Sequence, residues 1–404
     1  KAGRNRWKGK RPSVRGVVMK LDEIFPKNRM SLNEIDKTVY ARDASEYEGL
    51  CKAVVWPKTA EEVHQLVHYA RRANDRLTIR GAGTSSFGGC VPADSIVVDM
   101  SKMNKIIEVG KDYVIVESGM VVDDLNKELK KVKKFFPIVP LESEVCTIGG
   151  MLATNCLGLE TYYGKMQDWI LEIKVVDGTA KVLDLSPVPA RSFIGTEGVM
   201  GIVCRVKLKV LAKPIMKTVS IFKFNTLRVM LEKVNELEND ENVLEIYYLD
   251  EFCSNLLELG GEMHLIVELK DESGLIKNKD EINSLNEMKK TLQHILINKR
   301  YGQKEDVKIP MEAMSKFLFW LRKNNVPSFA YLKLGIVHPC FRDYSNLPKE
   351  MYQIVKRLEG ELKGDYPMGI KRKEFIPKNV QEQLAVLKNQ FDPARIFNRG
   401  VLID

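Results

Sequence analysis

The hydrophobic pattern along the chain changes period several times, and each change marks an element. Ala53–Trp56 is a short β-prone run stopped by Pro57. Thr59 then stands as a helix cap with Glu61 and Glu62 in the first turn, and Val63, Leu66, Val67 and Ala70 give the i, i+3, i+4, i+7 stripe of an amphipathic helix. Leu77–Ile79, Ile96–Val98, Ile106–Val109 and Val114–Val116 read as strands, Val122–Val132 as a helix, and Ile170–Val176, Ala180–Leu185 and Gly201–Leu211 as strands again. The texture shifts near Pro214. Long charged helices, Thr226–Glu238 and Lys279–Asn298, then alternate with the β-prone stretches Leu244–Leu249 and His264–Leu269. Two helices and a turn-rich tail, FDPARIFNRG, end the chain. Mixed strands and helices of this kind predict an α+β protein with a second α+β unit after the shift.

At 404 residues the chain is long enough for two or three domains. Lys and Arg number 63 against 54 Asp and Glu, for a net charge of +9. The excess is local: Lys1, Arg4, Arg6, Lys8, Lys10, Arg11, Arg15 and Lys20 fall in the first 20 residues, with no acid among them. The rest is close to neutral, so the charge describes an arm and not a nucleic-acid groove across the body. The arm reads first as a solvated tail, and second as a contact for an anionic partner such as RNA, an anionic lipid or an acidic protein. No run approaches the roughly 18 apolar residues of a membrane span, and no apolar segment follows the arm as in a secretory signal. Seven widely spaced cysteines with no CxxC pair predict reduced thiols, no zinc ribbon and no iron–sulfur cluster of the chain's own. A cytoplasmic protein is expected, with peripheral membrane attachment as the other placement.

Three glycine-bearing segments carry the candidate chemistry. The first, Arg80-Gly81-Ala82-Gly83-Thr84-Ser85-Ser86-Phe87-Gly88-Gly89, follows a strand. Its glycines let backbone N–H groups approach a phosphate, and its hydroxyls add donors. It is neither a GxGxxG fingerprint opening a helix nor a Walker A loop. The second is read as another loop, Cys146-Thr147-Ile148-Gly149-Gly150-Met151-Leu152-Ala153-Thr154-Asn155, and the third, Gly195-Thr196-Glu197-Gly198-Val199-Met200-Gly201-Ile202-Val203, leads into a strand.

On VVWPKTAEEVHQLVHYARRAN, IRGAGTSSFGG, VPLESEVCTIGGMLATN, YYGKMQDWI, VVDG, GTEGVMGIV and FDPARIFNRG, the chain resembles the FAD-linked oxidases with a vanillyl-alcohol-oxidase (PCMH-type) flavin domain. Within that family it looks most like the glycolate oxidase flavin subunit and D-lactate dehydrogenase branch, closely over residues 35–214 and more loosely in the tail. Beyond the basic arm at 1–20, the resemblance implies a two-lobed FAD-binding domain at 21–214, a cap or substrate domain at 215–335 and a C-terminal segment, 336–404, returning to the flavin. It implies that Arg80, Gly81, Ala82, Gly83, Thr84, Ser85 and Gly89 cradle the pyrophosphate. Pro140, Ser143, Thr147, Gly149, Gly150 and Asn155 would pass the flavin side. Glu197, Gly201, Ile202 and Val203 would meet adenine and ribose, with the Ile202 backbone as the adenine partner, and Asn398 would lie near the flavin. FAD is expected to be non-covalent, with Cys90 and Cys146 the nearest thiols.

The branch's paired histidines, often ligands of a divalent metal, match only in part. Gly335, His338 and Pro339 keep the first motif while Tyr331 replaces its first histidine. Asp365 and Tyr366 replace the Glu-His pair of the second, which keeps Gly369 and the end Lys373-Glu374-Phe375. No metal is expected. His338, Tyr331, Asp365, Tyr366 and Arg372 are the candidate catalytic residues, with His338 as base and Lys333, Lys371 or Arg372 as the cation for a substrate carboxylate. Against this, His338 also reads as a structural histidine and the basic run 371–373 as a solvated face. The implied activity is FAD-dependent oxidation of a small 2-hydroxy acid of the D-lactate, glycolate or 2-hydroxyglutarate type. The electrons would pass to a separate iron–sulfur or electron-transfer-flavoprotein partner, or to a quinone. The alternative is a flavoprotein subunit of a larger redox complex with a decayed substrate site.

Overall fold

Strand pairing organises the chain into three sheets. The computed structural model describes residues 20–270, 279–342 and 347–403; the basic arm lies outside them except for Lys20. The first sheet has four strands in the order Met30–Ser31, Leu50–Val55, Ala93–Asp99, Leu77–Arg80. Its last three run parallel. The helix Ala60–Ala73 makes the crossover between two of them. Thr59 accepts a hydrogen bond from the Glu62 N–H at its start, and Asn74 closes it in a left-handed conformation. Its stripe of Val63, Leu66, Val67 and Ala70 is fully buried, as the spacing predicts.

The second sheet is antiparallel and five-stranded, in the order Ile106–Val109, Tyr113–Glu117, Gly201–Lys209, Ile170–Asp177, Val182–Leu185. Val182 opens the last strand later than the expected Ala180, because Ala180 sits in a turn at φ 66°. One face of this sheet shares a core with the first sheet through Val176, Ile202 and Cys204. The other packs on Val122–Lys131, Ile148–Thr154 and Leu384, Leu387 and Phe391 of the tail helix Lys378–Phe391. The two sheets and these helices form two lobes with a shared core.

The third sheet is a seven-stranded antiparallel cap. Lys217–Phe224, Met263–Lys270, Val243–Leu249, Ser328–Tyr331, Ile336–Phe341 and Gln303–Lys304 follow in order, and Val307–Lys308 also pairs with Ile336–Phe341. The cap sheet therefore takes a strand from beyond the expected boundary at 335, since Ile336–Phe341 pairs with Ser328–Tyr331 over four residues. Both faces are covered, so its central strands read as continuous apolar runs. Ile246, Tyr248, Leu265, Val267 and Val337 face the helices Leu227–Glu238, Met311–Lys323 and Leu347–Arg357. Tyr247, Leu249, Ile266, Phe329, Tyr331 and Cys340 face the opposite way, toward the helix Lys279–Asn298 and the first two lobes.

Buried charge locks the cap to those lobes. Lys289 Nζ donates to Leu159 O at 3.0 Å and to Glu245, and Glu245 Oε2 accepts from the N–H and hydroxyl of Thr161 at 3.0 and 2.6 Å. Lys217 joins Glu160 at 2.7 Å and Glu268. No helix among the described residues is long and apolar enough to cross a membrane.

The tail returns through one buried pair. Lys388 Nζ meets Asp392 Oδ2 at 2.7 Å, Val199 O at 2.7 Å and Phe397 O at 3.0 Å, while Asp392 accepts from Ile396 N and Phe397 N. Removing one partner strands a charge in the core. Lys388→Met is expected to lower stability by about 3–5 kcal/mol, and the double change with Asp392→Leu to restore part of that loss. Urea unfolding midpoints of the two variants check this.

Candidate functional site

One cleft joins the three glycine segments to the inner face of the cap. Its empty space, open mouth included, is about 1730 Å³.

The outer end is built from backbone. The strand Leu77–Arg80 delivers the chain into the first loop. Among the described residues, the N–H groups of Gly81 to Ser86 donate to no protein acceptor, and consecutive free N–H groups of this kind form an anion nest. Gly83 stands at φ 75°. Gly81 approaches so closely that a Cβ there would lie 2.4 Å from Thr147 Oγ1. The second glycine segment is not a loop, as expected, but mostly the helix Ile148–Thr154. Thr147 supplies the N-cap, accepting from the Gly150 N–H at 3.2 Å, and Asn155 ends the helix with φ 55°. The capping threonine outweighs the two glycines as a local signal.

The third segment and the tail are tied to this end by side chains. Glu197 accepts from the N–H groups of Met368 and Gly369 at 2.8 and 3.0 Å. Its carbonyl accepts from Asn398 Nδ2 at 2.7 Å, and Asn398 Oδ1 accepts from Ile79 N at 2.8 Å. Burial pushes the Glu197 carboxyl upward.

Of the flavin-side candidates, Gly81, Ala82, Gly83, Thr84, Ser85, Gly89, Pro140, Thr147, Gly149, Gly150, Glu197, Gly201, Val203 and Asn398 line the cleft. Arg80, Ser143, Asn155 and Ile202 do not. Arg80 turns back to Arg42 O at 2.6 Å, behind Gly83. Ser143 is buried, and its carbonyl faces Asp123 N. Asn155 is paired with Gln167. Ile202 packs into the core between the first two sheets.

The inner end is aromatic. Phe329 and His338 are register partners on adjacent strands, and their rings stack at 4.7 Å with an interplanar angle of 14°. Tyr331 meets His338 edge-on at 5.6 Å, and Tyr366 closes the cage at 5.4 Å. Within it, both ring nitrogens of His338 are buried with no hydrogen-bond partner. Burial lowers its pKa to about 4, so the ring is neutral at physiological pH. Asp365 also lines the cleft. Its Oδ1 accepts from Leu157 N at 2.6 Å, and burial raises its carboxyl to about 7.

Arg372 corrects the sequence reading. It is fully buried but does not reach the cleft, because Glu305 and Asp306 hold its guanidinium at 2.5 and 2.6 Å. Lys371 joins Glu305 at 2.8 Å, and Lys333 bonds Val243 O on the far side. None of the three expected cations faces the cage. Lys304 does, with its Nζ donating to Gln293 Oε1 at 2.6 Å, and burial lowers its pKa. Neither Lys304 nor Gln293 was legible in advance. Lys304 sits in a two-residue strand that shows no alternation, and Gln293 is one polar position on a long charged helix.

Among the described residues, no group of three or more His, Cys, Asp or Glu side chains is placed to hold a metal ion. The neighbours of His338 are rings, so the residues present do not fit a divalent metal. Cys146 also lines the cleft as a neutral thiol, raised to about 12 by burial.

Comparison with known proteins agrees with this geometry. Residues 51–186 match the family model for an FAD binding domain. The chain is 22% identical to the mitochondrial D-2-hydroxyglutarate dehydrogenase of Danio rerio, over 87% of this chain and 78% of that protein. It is 20% identical to glycolate oxidase subunit GlcD of Bacillus subtilis, over 90% and 92%, and 24% identical to mitochondrial D-lactate dehydrogenase [cytochrome] 1 of Saccharomyces cerevisiae, over 86% and 71%. Among solved structures, alkyldihydroxyacetonephosphate synthase superposes with a TM-score of 0.69 at 17% identity, over 93% of this chain and 82% of that one. Residues 51–186 are thus an FAD binding domain, FAD is the cofactor, and the chain is an enzyme similar to these dehydrogenases and oxidases.

Proposed function

We propose that the protein oxidises a small 2-hydroxy acid to the 2-oxo acid at the inner end of the cleft. The observation that carries the reading is His338, a neutral buried base with both nitrogens unpartnered inside an otherwise aromatic cage. An orphaned polar group this deep costs stability unless a ligand completes it. The relatives act on 2-hydroxy acids by name, which supports the same class here.

In this reading the free N–H groups of Gly81 to Ser85 hold the FAD pyrophosphate, and Gly149, Gly150 and Val203 border the remainder. Attachment is non-covalent: Cys90 and Cys146 are both raised to about 12 and carry no thiolate at neutral pH. Bound there, FAD supplies the acceptor for the hydride leaving the substrate carbon. A lone pair of His338 takes the hydroxyl proton. Lys304 pairs with the carboxylate and fixes which face of the acid is presented. Phe329, Tyr331 and Tyr366 keep water from the reacting atoms. The yeast relative's name carries a cytochrome acceptor, and we infer that electrons here also leave to a separate protein or to a quinone.

Gly81→Ala is expected to weaken FAD binding roughly tenfold or more, because its Cβ would displace the Thr147 hydroxyl from the Gly150 cap. Flavin content after dialysis reads this. His338→Asn should keep full flavin content while anaerobic flavin reduction by D-lactate or glycolate slows about 10²–10⁴-fold. Equal reduction rates in the variant and the parent would remove His338 from the chemistry. The pH dependence has a defined sign. Asp365 loses its proton near pH 7, and its charge then opposes an anionic substrate. Substrate binding therefore favours the protonated form, and the half-saturating concentration should rise as pH climbs through 7. Asp365→Asn should flatten that rise in reduction assays from pH 6 to 8.

A further inference from the structure

The charge at the inner end restricts the acid further, given the hydroxy-acid reading of the site. Among the described residues lining the cleft, Lys304 is the one cation. Nearby cations are engaged elsewhere: Lys165 on Gly364 O at 2.9 Å, Lys363 on Gly195 O at 3.4 Å, and Lys289 in the buried cluster with Glu245 and Glu268. Acids face the same space. Asp365 and Glu142 line the cleft, and the Glu197 carboxylate is taken by two backbone N–H groups. Besides His338 and Gln293, the inner wall includes Leu157, Leu159, Phe329, Tyr331 and Tyr366.

One carboxylate therefore finds a partner. A second would be stripped of water among aromatic rings, without a cation and with carboxyl groups beside it, and a desolvated unpaired charge is costly. We propose that this site selects 2-hydroxy monocarboxylates with a short apolar or absent side chain over dicarboxylates such as 2-hydroxyglutarate. The choice divides the relatives, since some are named for the dicarboxylate and others for D-lactate or glycolate.

The test uses the full chain loaded with FAD, mixed anaerobically with D-lactate, D-2-hydroxybutyrate or D-2-hydroxyglutarate. The expected result is bleaching by the monocarboxylates with a rate per unit concentration roughly 100-fold or more above that of the dicarboxylate. A second readout needs no turnover: pyruvate should perturb the oxidised flavin spectrum at far lower concentration than 2-oxoglutarate. Equal or faster bleaching by D-2-hydroxyglutarate would overturn the selectivity and leave the hydroxy-acid reading standing. Bleaching by none of the three, in protein whose flavin dithionite reduces, would overturn that reading and this inference with it.

Discussion

The inner end of the cleft depends on the buried guanidinium of Arg372. Its Nε and Nη2 donate to Glu305 Oε2, and its Nη1 donates to Asp306 Oδ1 and Leu362 O. Its plane lies over the Phe87 ring at 4.4 Å. Asp306 turns its other oxygen to the N–H groups of Asp365 and Tyr366. One cation thus fixes the end of the first glycine loop, the strand segment that carries Lys304, and the turn that presents Asp365 and Tyr366. A planar donor with five N–H groups can satisfy so many acceptors from one position, and lysine cannot. Such a cluster adds little net stability over an apolar core, but breaking it leaves carboxylates unpaired. Its contribution here is geometric.

The outer end has its own clasp in Glu197 and Asn398, which draw the third glycine segment, the tail, the strand before the first loop and the turn at Met368 to one point. The two clasps share the segment 365–372, so the outer and inner ends of the cleft are positioned against one short stretch of chain. The tail reaches this point only because Lys388 and Asp392 are satisfied inside the protein.

Local signals in the sequence reported local structure well. Thr59 with its stripe, the strands of the first two sheets and the helix at Lys279–Asn298 all carry their period within one element. The glycine segments were visible as a site because unusual backbone needs unusual residues. What stayed hidden was non-local. Nothing near Lys304 tells that it faces His338, because its strand is two residues long and pairs with a strand more than 30 residues away. Arg372 shows the converse error. A basic residue inside a recognisable motif reads as a substrate clamp, whereas its burial and its two acidic partners, distant in sequence, make it a support.

A tyrosine at 331, where the branch that the sequence resembles carries a histidine, then has a coherent physical meaning. A phenol this deep stays protonated, since burial drives its pKa upward, so it is a poor metal donor and a good wall. With Tyr366 on the opposite side, the surviving histidine is enclosed by rings in place of ligands. That environment holds His338 neutral and leaves its lone pair unclaimed, as the proposed proton abstraction would require. In the proposed reading, the work a divalent ion would do on a carboxylate falls to Lys304, whose burial lowers its pKa and which an anion would stabilise in its charged form. In this reading, base and cation are therefore supplied by one residue each, which is why the site is proposed to take one negative charge.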